Sequence, residues 1–394
     1  MKVAIVHYWL VGMRGGEKVV EALCEMYPEA DIFTHVYRPE RMSPVIRGHR
    51  VTTTFIDRLP MAHRMYQKYL PLMPLALEQL DLSAYDLVIS SESGPAKGVL
   101  TRPDALHVCY CHTPMRYVWS GYHDYLHSAG PIIRPLMPYA IHRLRQWDLA
   151  TAARVDRFIA NSHTVAQRIW RVYRRDATVI HPPVETQRFA TVTSPVISPG
   201  DGDGSGHYLF VSQLVSYKRA DVAIEAFNRM GRKLVVVGEG EEFRRLKQMA
   251  GPTVELVGHC SPADLDRHYA SCRALIFTAN EDFGIVPVEA MAAGRPVIAL
   301  NRGGATETVR DGLSGLFFDQ QTPEGLIEAV ERFEAQEARF NPAAIRAHAA
   351  RFDRDVFKAR LRETIDSWMN GEEASLAPER STAISHRGRE LAPA

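Results

Sequence analysis

Short apolar runs alternate with amphipathic stretches along the first half of the chain. The runs that predict strands are Lys2–His7, Tyr85–Ser90, Ala105–Cys111, Arg157–Ala160 and Thr178–Ile180. A glycine-rich turn at residues 12–16 follows the first run, and a helical pattern extends from Glu17 to Tyr27. Apolar runs rich in β-branched residues are typical of strands that are buried on both faces of a parallel sheet. Residues 1–190 are therefore predicted to form one β/α domain.

The alternation becomes regular from residue 207 onward. Six runs predict strands, namely Tyr208–Ser212, Lys233–Val237, Thr253–Val257, Ala274–Phe277, Pro296–Leu300 and Gly315–Phe318. Four helical patterns lie among them, namely Ala220–Met230, Glu241–Met249, Pro262–Ser271 and Val286–Ala293. This alternation implies a parallel sheet that is covered on both faces. Residues 207–352 are therefore predicted to form a second doubly wound domain, and helical patterns continue to Trp368.

Two stretches lack the periodicity of the domains. Residues 191–206 are dense in Ser, Pro and Gly and predict a linker, whereas residues 370–394 are polar and predict a disordered tail. The helix over 353–369 is expected to pack back on the N-terminal domain. The predicted fold class is thus α/β, with two Rossmann-like doubly wound domains that face each other across a cleft. Ligands bind at the carboxyl ends of the strands in such sheets, so the cleft is the expected binding site.

The composition excludes several classes of protein. With 46% hydrophobic and 24% charged residues among 394, the chain is an ordinary globular protein and not a disordered one. A net charge of +1 provides no general attraction for nucleic acid. The five cysteines are odd in number and scattered, which favours a reducing compartment. No signal peptide is evident, and no stretch approaches the ~18–20 apolar residues of a spanning helix, so we expect a soluble cytoplasmic protein.

The near-neutral total conceals an uneven distribution of charge. Residues 1–190 carry 23 Lys and Arg against 17 Asp and Glu, whereas the remainder carries 24 against 29. Two segments of the basic half, Met61–Ala76 and Pro131–Trp147, mix Arg and Lys with large apolar and aromatic residues. Such a mixture predicts peripheral contact with anionic lipid, at the inner face of the plasma membrane. The alternative is that both segments are helices whose apolar faces pack in the N-terminal core.

The stretch that indicates chemistry most clearly runs from Glu281 to Ile298. It follows a predicted strand, contains a turn with a glycine and then opens a helix. A helix N-terminus offers unpaired N–H groups and a partial positive charge, so an anionic group can bind there. Glu289 lies eight positions after Glu281, inside the helix. One carboxylate would meet a sugar and the other a ribose, unless both are ordinary solvated glutamates at a helix start.

Together with residues 290–298, this pair of glutamates resembles the E-x7-E signature of the retaining glycosyltransferases of the GT-B fold, family 4. The resemblance extends over further segments, namely residues 180–189, 211–218, 303–307 and 311–316. It covers the chain from Met1 to about Met369. It implies a transferase that moves a sugar from a nucleotide-sugar donor to a hydroxyl group with retention at the anomeric carbon. The donor would bind mainly to the C-terminal domain, and the acceptor to the N-terminal domain.

The resemblance also implies roles for individual residues of the C-terminal domain. Glu289 would hydrogen-bond the ribose, and Glu281 would contact the transferred sugar as a catalytic residue. The backbone N–H groups expected at the sugar and diphosphate are those of Phe283, Gly284 and Ile285. Lys218, also expected to be catalytic, would neutralise the diphosphate leaving group, which gains negative charge in the transition state.

Three further residues are expected to contact the donor, namely Gln213, Arg219 and Gly238. The family commonly has an arginine at the position of Gln213, so one of two expected cations is missing here. Either Lys218 and Arg219 suffice, or the leaving group is less stabilised. Gly238 belongs to a Gly-x-Gly turn after a predicted strand, where the backbone can approach a nucleotide closely.

The N-terminal domain contributes a phosphate loop and an acceptor site to this interpretation. Gly15 and Gly16 precede a predicted helix, and small residues there let the backbone approach a phosphate. His112 ends a strand where the family places a histidine near the hydroxyl groups of the donor sugar, and it is expected to be catalytic. The alternative is a histidine that only packs in the core. Arg116 and Tyr117 are expected to contact the acceptor.

A closer resemblance concerns the donor and the acceptor. Residues 7–10, 15–19, 30–34 and 110–119 are similar to segments of bacterial mannosyltransferases of polysaccharide and O-antigen assembly. Those enzymes use GDP-mannose and a polyprenyl-diphosphate-linked acceptor, which we therefore expect here, with no resident cofactor. Asp201-Gly202-Asp203 imitates a metal-binding motif but lies in the predicted linker, so no metal site is expected. A sugar-nucleotide epimerase of the same fold and a non-catalytic nucleotide-sugar-binding protein are the alternatives.

Overall fold

The alternation of strands and helices builds two parallel β-sheets. The computed structural model describes residues 1–131, 133–191 and 206–372. The predicted linker at 191–206 and tail at 370–394 therefore lie almost entirely outside the described residues. Every strand pairing in both sheets is parallel. The predicted α/β class with two Rossmann-like sheets is confirmed.

The N-terminal sheet has seven strands in the order β3-β2-β1-β4-β5-β6-β7. They are β1 Val3–His7, β2 Asp31–Thr34, β3 Val51–Thr53, β4 Leu87–Glu92, β5 Leu106–Cys111, β6 Arg157–Ala160 and β7 Ala177–Val179. The helices of this half are α1 Gly15–Met26, α2 Pro44–Arg47, α3 Ala62–Met65, α4 Met73–Glu78, α5 Tyr122–Ser128, α6 Met137–Ala152 and α7 His163–Tyr173. The strand order reverses between β1 and β4, which is where ligands bind in sheets of this kind.

The C-terminal sheet has six strands in the order β10-β9-β8-β11-β12-β13. They are β8 Tyr208–Val211, β9 Leu234–Val237, β10 Val254–Gly258, β11 Leu275–Phe277, β12 Val297–Leu300 and β13 Gly315–Phe318. The helices are α8 Ala220–Met230, α9 Phe243–Met249, α10 Pro262–Ser271, α11 Ile285–Ala292, α12 Ala305–Thr308, α13 Pro323–Glu334, α14 Pro342–Ala349 and α15 Arg354–Met369. The order reverses here between β8 and β11, so each sheet has one switch point.

Two parts of the N-terminal sheet differ from the prediction. The strands β2 and β3 were not predicted, because their sequences DIFT and VTT contain polar residues and no continuous run of large apolar side chains. The strand predicted over Tyr85–Ser90 extends two residues further, to Glu92. Ser90, Ser91 and Glu92 are polar, yet all three are buried, because their side chains bond to other buried groups. The polarity of Ser91 and Glu92 led to a predicted strand end at Ser90, whereas the observed strand continues to Glu92.

The last helix joins the two halves. After α14 the chain returns to the N-terminal domain, where Phe357, Leu361 and Ile365 of α15 are buried in the same core cluster as β1 and α1. At the crossing, the N–H of Val184 donates to the carbonyl of Phe352 at 3.1 Å, and the N–H of Arg354 donates to the carbonyl of Val184 at 3.0 Å. The two crossings between the domains are thus hydrogen-bonded to each other.

Candidate active site

A cavity of about 720 Å³ lies between the two sheets. Its walls are formed by residues that directly follow strands, such as Tyr8 after β1, His112 after β5 and Ser212 after β8. It therefore lies at the carboxyl ends of the strands and at the switch points of both sheets, which is the usual place for a ligand in this architecture. The predicted cleft between two domains is this cavity.

The N-terminus of α11 belongs to the C-terminal wall, which is the side of the cavity that the C-terminal domain contributes. Phe283, Gly284, Ile285 and Val286 all line it, and the helix begins at Ile285, one residue earlier than predicted. Gly284 caps the helix with φ of +91°, a left-handed conformation that favours glycine. Phe283 is buried and its ring stacks on His181, so the side chain is not available to a ligand. The unpaired N–H groups of the first helical turn make this wall suitable for an anion.

Lys218 and Glu281 lie together on the same wall. Both line the cavity, and Lys218 Nζ donates a hydrogen bond to Glu281 Oε1. Lys218 ends a short 3₁₀ turn, Ser216–Lys218, that follows the loop after β8, whereas Glu281 follows β11. Neighbouring strands of the sheet thus bring together two residues that are 63 positions apart in the sequence. The ammonium group and the first turn of α11 are both presented to the same cavity.

Asp282 connects the two domains through two arginines. Arg116 Nη2 lies 2.6 Å from Asp282 Oδ2, and Arg168 Nη1 donates to Asp282 Oδ1. The Arg116 guanidinium also lies over the ring of Tyr217, 5.6 Å from its centroid. Arg116, predicted to contact the acceptor, therefore lines the cavity and spans the cleft. Neither Asp282 nor Arg168 was predicted from the sequence, although Asp282 directly follows Glu281.

Glu307 makes a second contact between the domains. Its carboxylate accepts hydrogen bonds from the backbone N–H of His163 and of Thr164 at 2.8 and 3.0 Å. These groups belong to the first turn of α7, where N–H donors have no partner within the helix. The Thr164 hydroxyl donates to the same carboxylate at 3.2 Å. Burial alone would raise the pKa of Glu307, but the contact with His181 Nε2 at 3.4 Å and the two backbone N–H bonds outweigh it, so the pKa lies below its ordinary value.

His112 belongs to the N-terminal wall, which is the side of the cavity that the N-terminal domain contributes. It lines the cavity and is only partly exposed, and its Nε2 lies 2.9 Å from Ser91 Oγ. Burial lowers the pKa of His112 to about 4, so the ring is neutral at physiological pH. Tyr117, the other residue predicted at the acceptor, also lines the cavity, and its hydroxyl is buried without a partner among the described residues. Both residues therefore line the cavity, and their contacts with the sugar and the acceptor stay predictions.

Gly15 and Gly16 are the first two residues of α1 and do not precede it, which corrects the predicted helix start. Both line the cavity. A β-carbon on Gly15 would lie 2.9 Å from Ile285 Cδ1, and one on Gly16 would lie 2.8 Å from the Tyr8 hydroxyl. The absence of side chains thus lets the start of α1 approach the start of α11 across the cleft.

Glu17 is a cavity residue that the sequence analysis missed. It lines the cavity beside Tyr8 and Arg14, and its Oε2 accepts the backbone N–H of Arg14 at 3.1 Å, which caps α1. Burial raises the pKa of Glu17 to about 7. Its position directly after Gly15-Gly16 was the available signal, because a residue in the first turn of α1 lies beside the glycines that were predicted to approach a phosphate.

Glu289 lies outside the main cavity. It lines a recess of about 50 Å³ together with Lys18, Glu185 and Ile285, and Ile285 is the residue that both spaces share. The Tyr269 hydroxyl donates to Glu289 Oε2 at 2.8 Å. Burial raises the pKa of Glu289. The two glutamates of the E-x7-E element thus lie on opposite sides of Ile285, one in each space.

Besides Glu289, two of the residues predicted to contact the donor do not line the cavity. The Arg219 guanidinium pairs with Asp221, at 3.1 Å from Nε to Oδ1, outside the cavity wall. Gly238 lies against the backbone of Ser212, where a β-carbon would collide with the Ser212 carbonyl oxygen. Its role in the structure is therefore close packing of two loops. Gln213, in contrast, is exposed and lines the cavity.

Within the described ranges, no group of three or more His, Cys, Asp or Glu side chains has an arrangement that could hold a metal ion. Asp201 and Asp203 lie outside the described residues.

No helix in the described part of the chain is long and apolar enough to cross a membrane. Cys109 and Cys111 are buried in one core cluster with Phe158.

Two family models match the chain. Residues 13–188 match the model described as "Glycosyltransferase Family 4", and residues 200–351 match the model described as "Glycosyl transferases group 1". The chain is 24% identical over 362 residues to a D-inositol 3-phosphate glycosyltransferase of Streptomyces bingchenggensis, in an alignment that covers 74% of this chain and 78% of that relative. Alignments with proteins of the same name from Nocardioides and Geodermatophilus obscurus span about half of those relatives.

Solved structures support the same fold. HepE of Anabaena, crystallised with UDP, superimposes with a TM-score of 0.67 at 19% identity, and the match covers 93% of this chain and all of that one. Sucrose-phosphate synthase of Thermosynechococcus elongatus superimposes with a TM-score of 0.66 at 18% identity, covering 94% of this chain and all of that one. At these identities the similarity establishes the architecture alone. The predicted GT-B fold is confirmed.

Proposed function

The chain belongs to glycosyltransferase family 4, and we propose that it transfers mannose from GDP-mannose to a hydroxyl group of a lipid-linked or oligosaccharide acceptor in polysaccharide biosynthesis, with retention at the anomeric carbon. The observation that carries the proposal is the C-terminal wall of the cavity. There the first turn of α11 and the Lys218–Glu281 pair are presented to one space.

This wall suits a sugar that is bound through a diphosphate. A diphosphate leaving group gains negative charge as the glycosidic bond breaks, so N–H groups and an ammonium group placed around it lower the barrier. The first turn of α11 supplies the N–H groups, and Lys218 supplies the cation. Because Gln213 provides no charge and Arg219 pairs with Asp221 away from the cavity, Lys218 is the cation that we assign to the leaving group on this wall.

The state of the cavity carboxyl groups favours a front-face reaction over a double displacement as the route to retention. A double displacement requires a carboxylate that is free to attack the anomeric carbon. Glu281 is paired with Lys218, and Asp282 is paired with Arg116 and Arg168. Glu17 caps α1, and burial raises its pKa to about 7. A front-face reaction requires no such group, because the acceptor hydroxyl attacks on the side that the diphosphate leaves and a phosphate oxygen takes its proton. We therefore assign this mechanism.

His112 and Glu281 are assigned to the transferred sugar. His112 approaches the cavity from the N-terminal domain and Glu281 from the C-terminal domain, so closure of the domains would hold the sugar between a neutral ring and a carboxylate. The segments that resemble mannosyltransferases support the choice of mannose. HepE of Anabaena was crystallised with UDP, so a UDP-sugar is the main competing donor, and the experiment must include it.

The decisive experiment is a two-stage donor test. Thermal shifts with GDP, UDP, ADP and TDP identify the base, because a ligand that binds only the folded protein stabilises it. The donor sugars of the selected base are then tested for transfer, with Lys218→Met as the variant of the site and Arg229→Met, an exposed arginine distant from the cavity, as its control. We expect GDP to give the largest shift and GDP-mannose to be consumed. A larger shift with UDP would reject GDP-mannose, and conversion of the donor without an acceptor would indicate an epimerase.

The acceptor assignment is supported by the outer surface of the N-terminal domain. Segment 61–76 exposes Met61, Leu72 and Leu75 at 57%, 41% and 55%, and segment 131–147 exposes Leu136 and Tyr139 at 69% and 73%. Both segments also reach the cavity, through Leu70 in the first and Met137 and Ile141 in the second. A lipid-linked acceptor could thus lie in the membrane with its sugar end at the cavity.

Anionic vesicles test this surface directly. Arg64, Lys68, Arg134 and Arg143 are exposed on the two segments, and each lysine or arginine near anionic lipid contributes ~1 kcal/mol. Arg145, predicted to belong to this surface, instead donates to the Val118 carbonyl and packs over Tyr122. We expect co-sedimentation at low salt that fades at high salt and is lost when the four exposed residues become serine. Serine at Arg229, Arg244, Arg245 and Arg267 of the other domain is the control. Protein that stays in the supernatant at low salt would reject membrane contact.

A further inference from the structure

We propose that Ser91, with His7 behind it, is a positioning residue that holds His112 in the tautomer protonated on Nδ1. In that form His112 presents a hydrogen-bond donor to the cavity. The inference rests on the proposed function only for the identity of the group that this N–H contacts, namely a hydroxyl group of the transferred sugar or a diphosphate oxygen. The tautomer itself is a property of the protein.

The three side chains form a short chain of hydrogen bonds at the switch point of the N-terminal sheet. Ser91 lies on β4 in register with His7 at the end of β1. Ser91 Oγ lies 3.1 Å from His7 Nδ1 and 2.9 Å from His112 Nε2. Ser91 and His7 are fully buried. One hydroxyl group therefore bridges two imidazole rings, and only the outer ring reaches the cavity.

Each ring has a single proton to place. Burial lowers the pKa of His112 to about 4 and that of His7 well below its ordinary value, so neither ring is charged at neutral pH. A neutral imidazole is a donor at one nitrogen and an acceptor at the other. The Ser91 hydroxyl also has one proton, and among the described residues its oxygen meets only the two rings. The Ser91 oxygen could also accept from both rings, but its own proton would then be a buried O–H without an acceptor, which is costly. Ser91 therefore donates to one ring and accepts from the other.

His7 decides the direction. Its second nitrogen, Nε2, is buried and has no hydrogen-bond partner among the described residues. If Ser91 donated to His7 Nδ1, the His7 proton would be on Nε2 as an orphaned buried N–H, which is rare in proteins. The opposite direction avoids this: His7 Nδ1–H donates to Ser91, and Ser91 O–H donates to His112 Nε2. The proton of His112 is then on Nδ1.

The tautomer of His112 decides whether the ring presents a hydrogen-bond donor or an acceptor to the cavity. Nδ1 of His112 has no partner among the described residues and is open to the cavity that the ring lines. As an N–H group it donates, and it suits an oxygen of a sugar hydroxyl or of a diphosphate. In the other tautomer the same atom would be a bare acceptor and would repel a phosphate oxygen. Ser91 does not line the cavity, so it acts on the substrate only through His112.

The test is ¹⁵N NMR of the full chain with labelled histidine. The two ring nitrogens of a neutral histidine have well-separated shifts, so the protonated atom is identified directly, and loss of signals in His112→Gln and His7→Gln assigns the rings. We expect His112 of the wild-type protein to be protonated on Nδ1. A proton on Nε2 of His112 would overturn the proposal, whether or not the protein proves to transfer mannose.

Two serine variants complete the experiment. Ser91→Ala removes the donor to His112, so the spectrum should show the Nε2–H form or a mixture, and kcat should fall more than tenfold with a smaller change in KM. Ser90→Ala is the matched control, because Ser90 is buried next to Ser91 and bonds another buried histidine, His107 Nε2, at 2.9 Å. That variant should lose stability without changing the tautomer of His112. An unchanged tautomer in Ser91→Ala, or equal effects of both variants on kcat, would overturn the proposal.

Discussion

Replacing Lys97 by methionine should destabilise the N-terminal domain strongly. Lys97 follows β4, and its ammonium group donates to Glu92 Oε1 at 2.7 Å and to Asp148 Oδ1. All three side chains are at most 1% exposed. Methionine keeps most of the volume but not the charge, so two carboxylates are left together in a medium of low dielectric constant. The change therefore isolates the electrostatic role of the lysine from its packing.

The expected loss is about 3–5 kcal/mol, the usual cost of removing one partner of a buried ion pair. The structure favours the lower end of this range, because each carboxylate keeps other donors. Trp119 Nε1 and Tyr173 Oη donate to Asp148 Oδ2 at 2.7 and 3.0 Å. Two backbone N–H groups donate to Glu92 Oε2. Since domains are stable by only ~5–15 kcal/mol, even about 3 kcal/mol is a large fraction of the total.

Equilibrium unfolding in urea, followed by circular dichroism and tryptophan fluorescence, measures this loss. Arg229→Met is the control, because Arg229 pairs with Glu225 and Glu324 at the exposed surface, where ion pairs contribute little. Adding Glu92→Gln to Lys97→Met removes one of the two charges and should restore part of the stability. A loss below about 1 kcal/mol, or a double variant no more stable than the single one, would refute this account of the buried charges.

The pH dependence of the loss provides a second measurement. Burial raises the pKa of Glu92, and removal of the ammonium group raises it further. A carboxyl group with a higher pKa in the folded state than in the unfolded state destabilises the fold when it is ionised and ceases to do so when it is protonated. The deficit of Lys97→Met should therefore shrink as the pH is lowered from neutral. A deficit that grows on acidification would contradict this sign.

Three further predictions concern the site. Glu281→Ala and Lys218→Ala should each lower the transfer rate by ~10²–10³, whereas Arg219→Ala should not; near-normal turnover in both variants would reject the site. Transfer should survive EDTA and alanine at both aspartates of residues 201–203, and a loss that Mn²⁺ or Mg²⁺ restores would contradict this. Glu307→Gln should weaken the contact between the domains, because hydrogen bonds to a charged group contribute ~1.5–3 kcal/mol. We expect a larger radius of gyration in X-ray scattering, and an unchanged profile would oppose this.

Local patterns in the sequence were sufficient for the architecture. A strand that is buried on both faces must be apolar along its length, and a helix on a sheet must be apolar on one side, so both leave a record in consecutive residues. The location of the cavity at the carboxyl ends of the strands follows from this architecture, whereas the switch points depend on the spatial order of the strands. The start of α11 was predictable to within one residue for the same reason, because a helix start depends on neighbouring residues.

Patterns were misleading at three residues whose role depends on one particular contact. Arg219 follows Lys218 directly, yet it pairs with Asp221 while Lys218 lines the cavity. Gly238 has the sequence context of a nucleotide-binding turn, but a carbonyl from another loop occupies the space beside it. Ser91 directly follows the predicted strand Tyr85–Ser90 and is a buried bridge between two rings. For Gly238 and Ser91 the neighbour that decides the role is far away in the sequence or on another loop, whereas for Arg219 it is two positions away but in the following helix.

The sequence by itself determined the two doubly wound sheets, the cleft between them and the helix start that faces it, since these depend on hydrophobic period and local backbone geometry. Only the tertiary structure decided which charges meet. Asp282 pairs with Arg116 and Arg168, which are contributed by the other domain, and Glu281 meets Lys218 because their strands are neighbours in the sheet. The pairing of side chains depends on distances between elements that no local pattern contains.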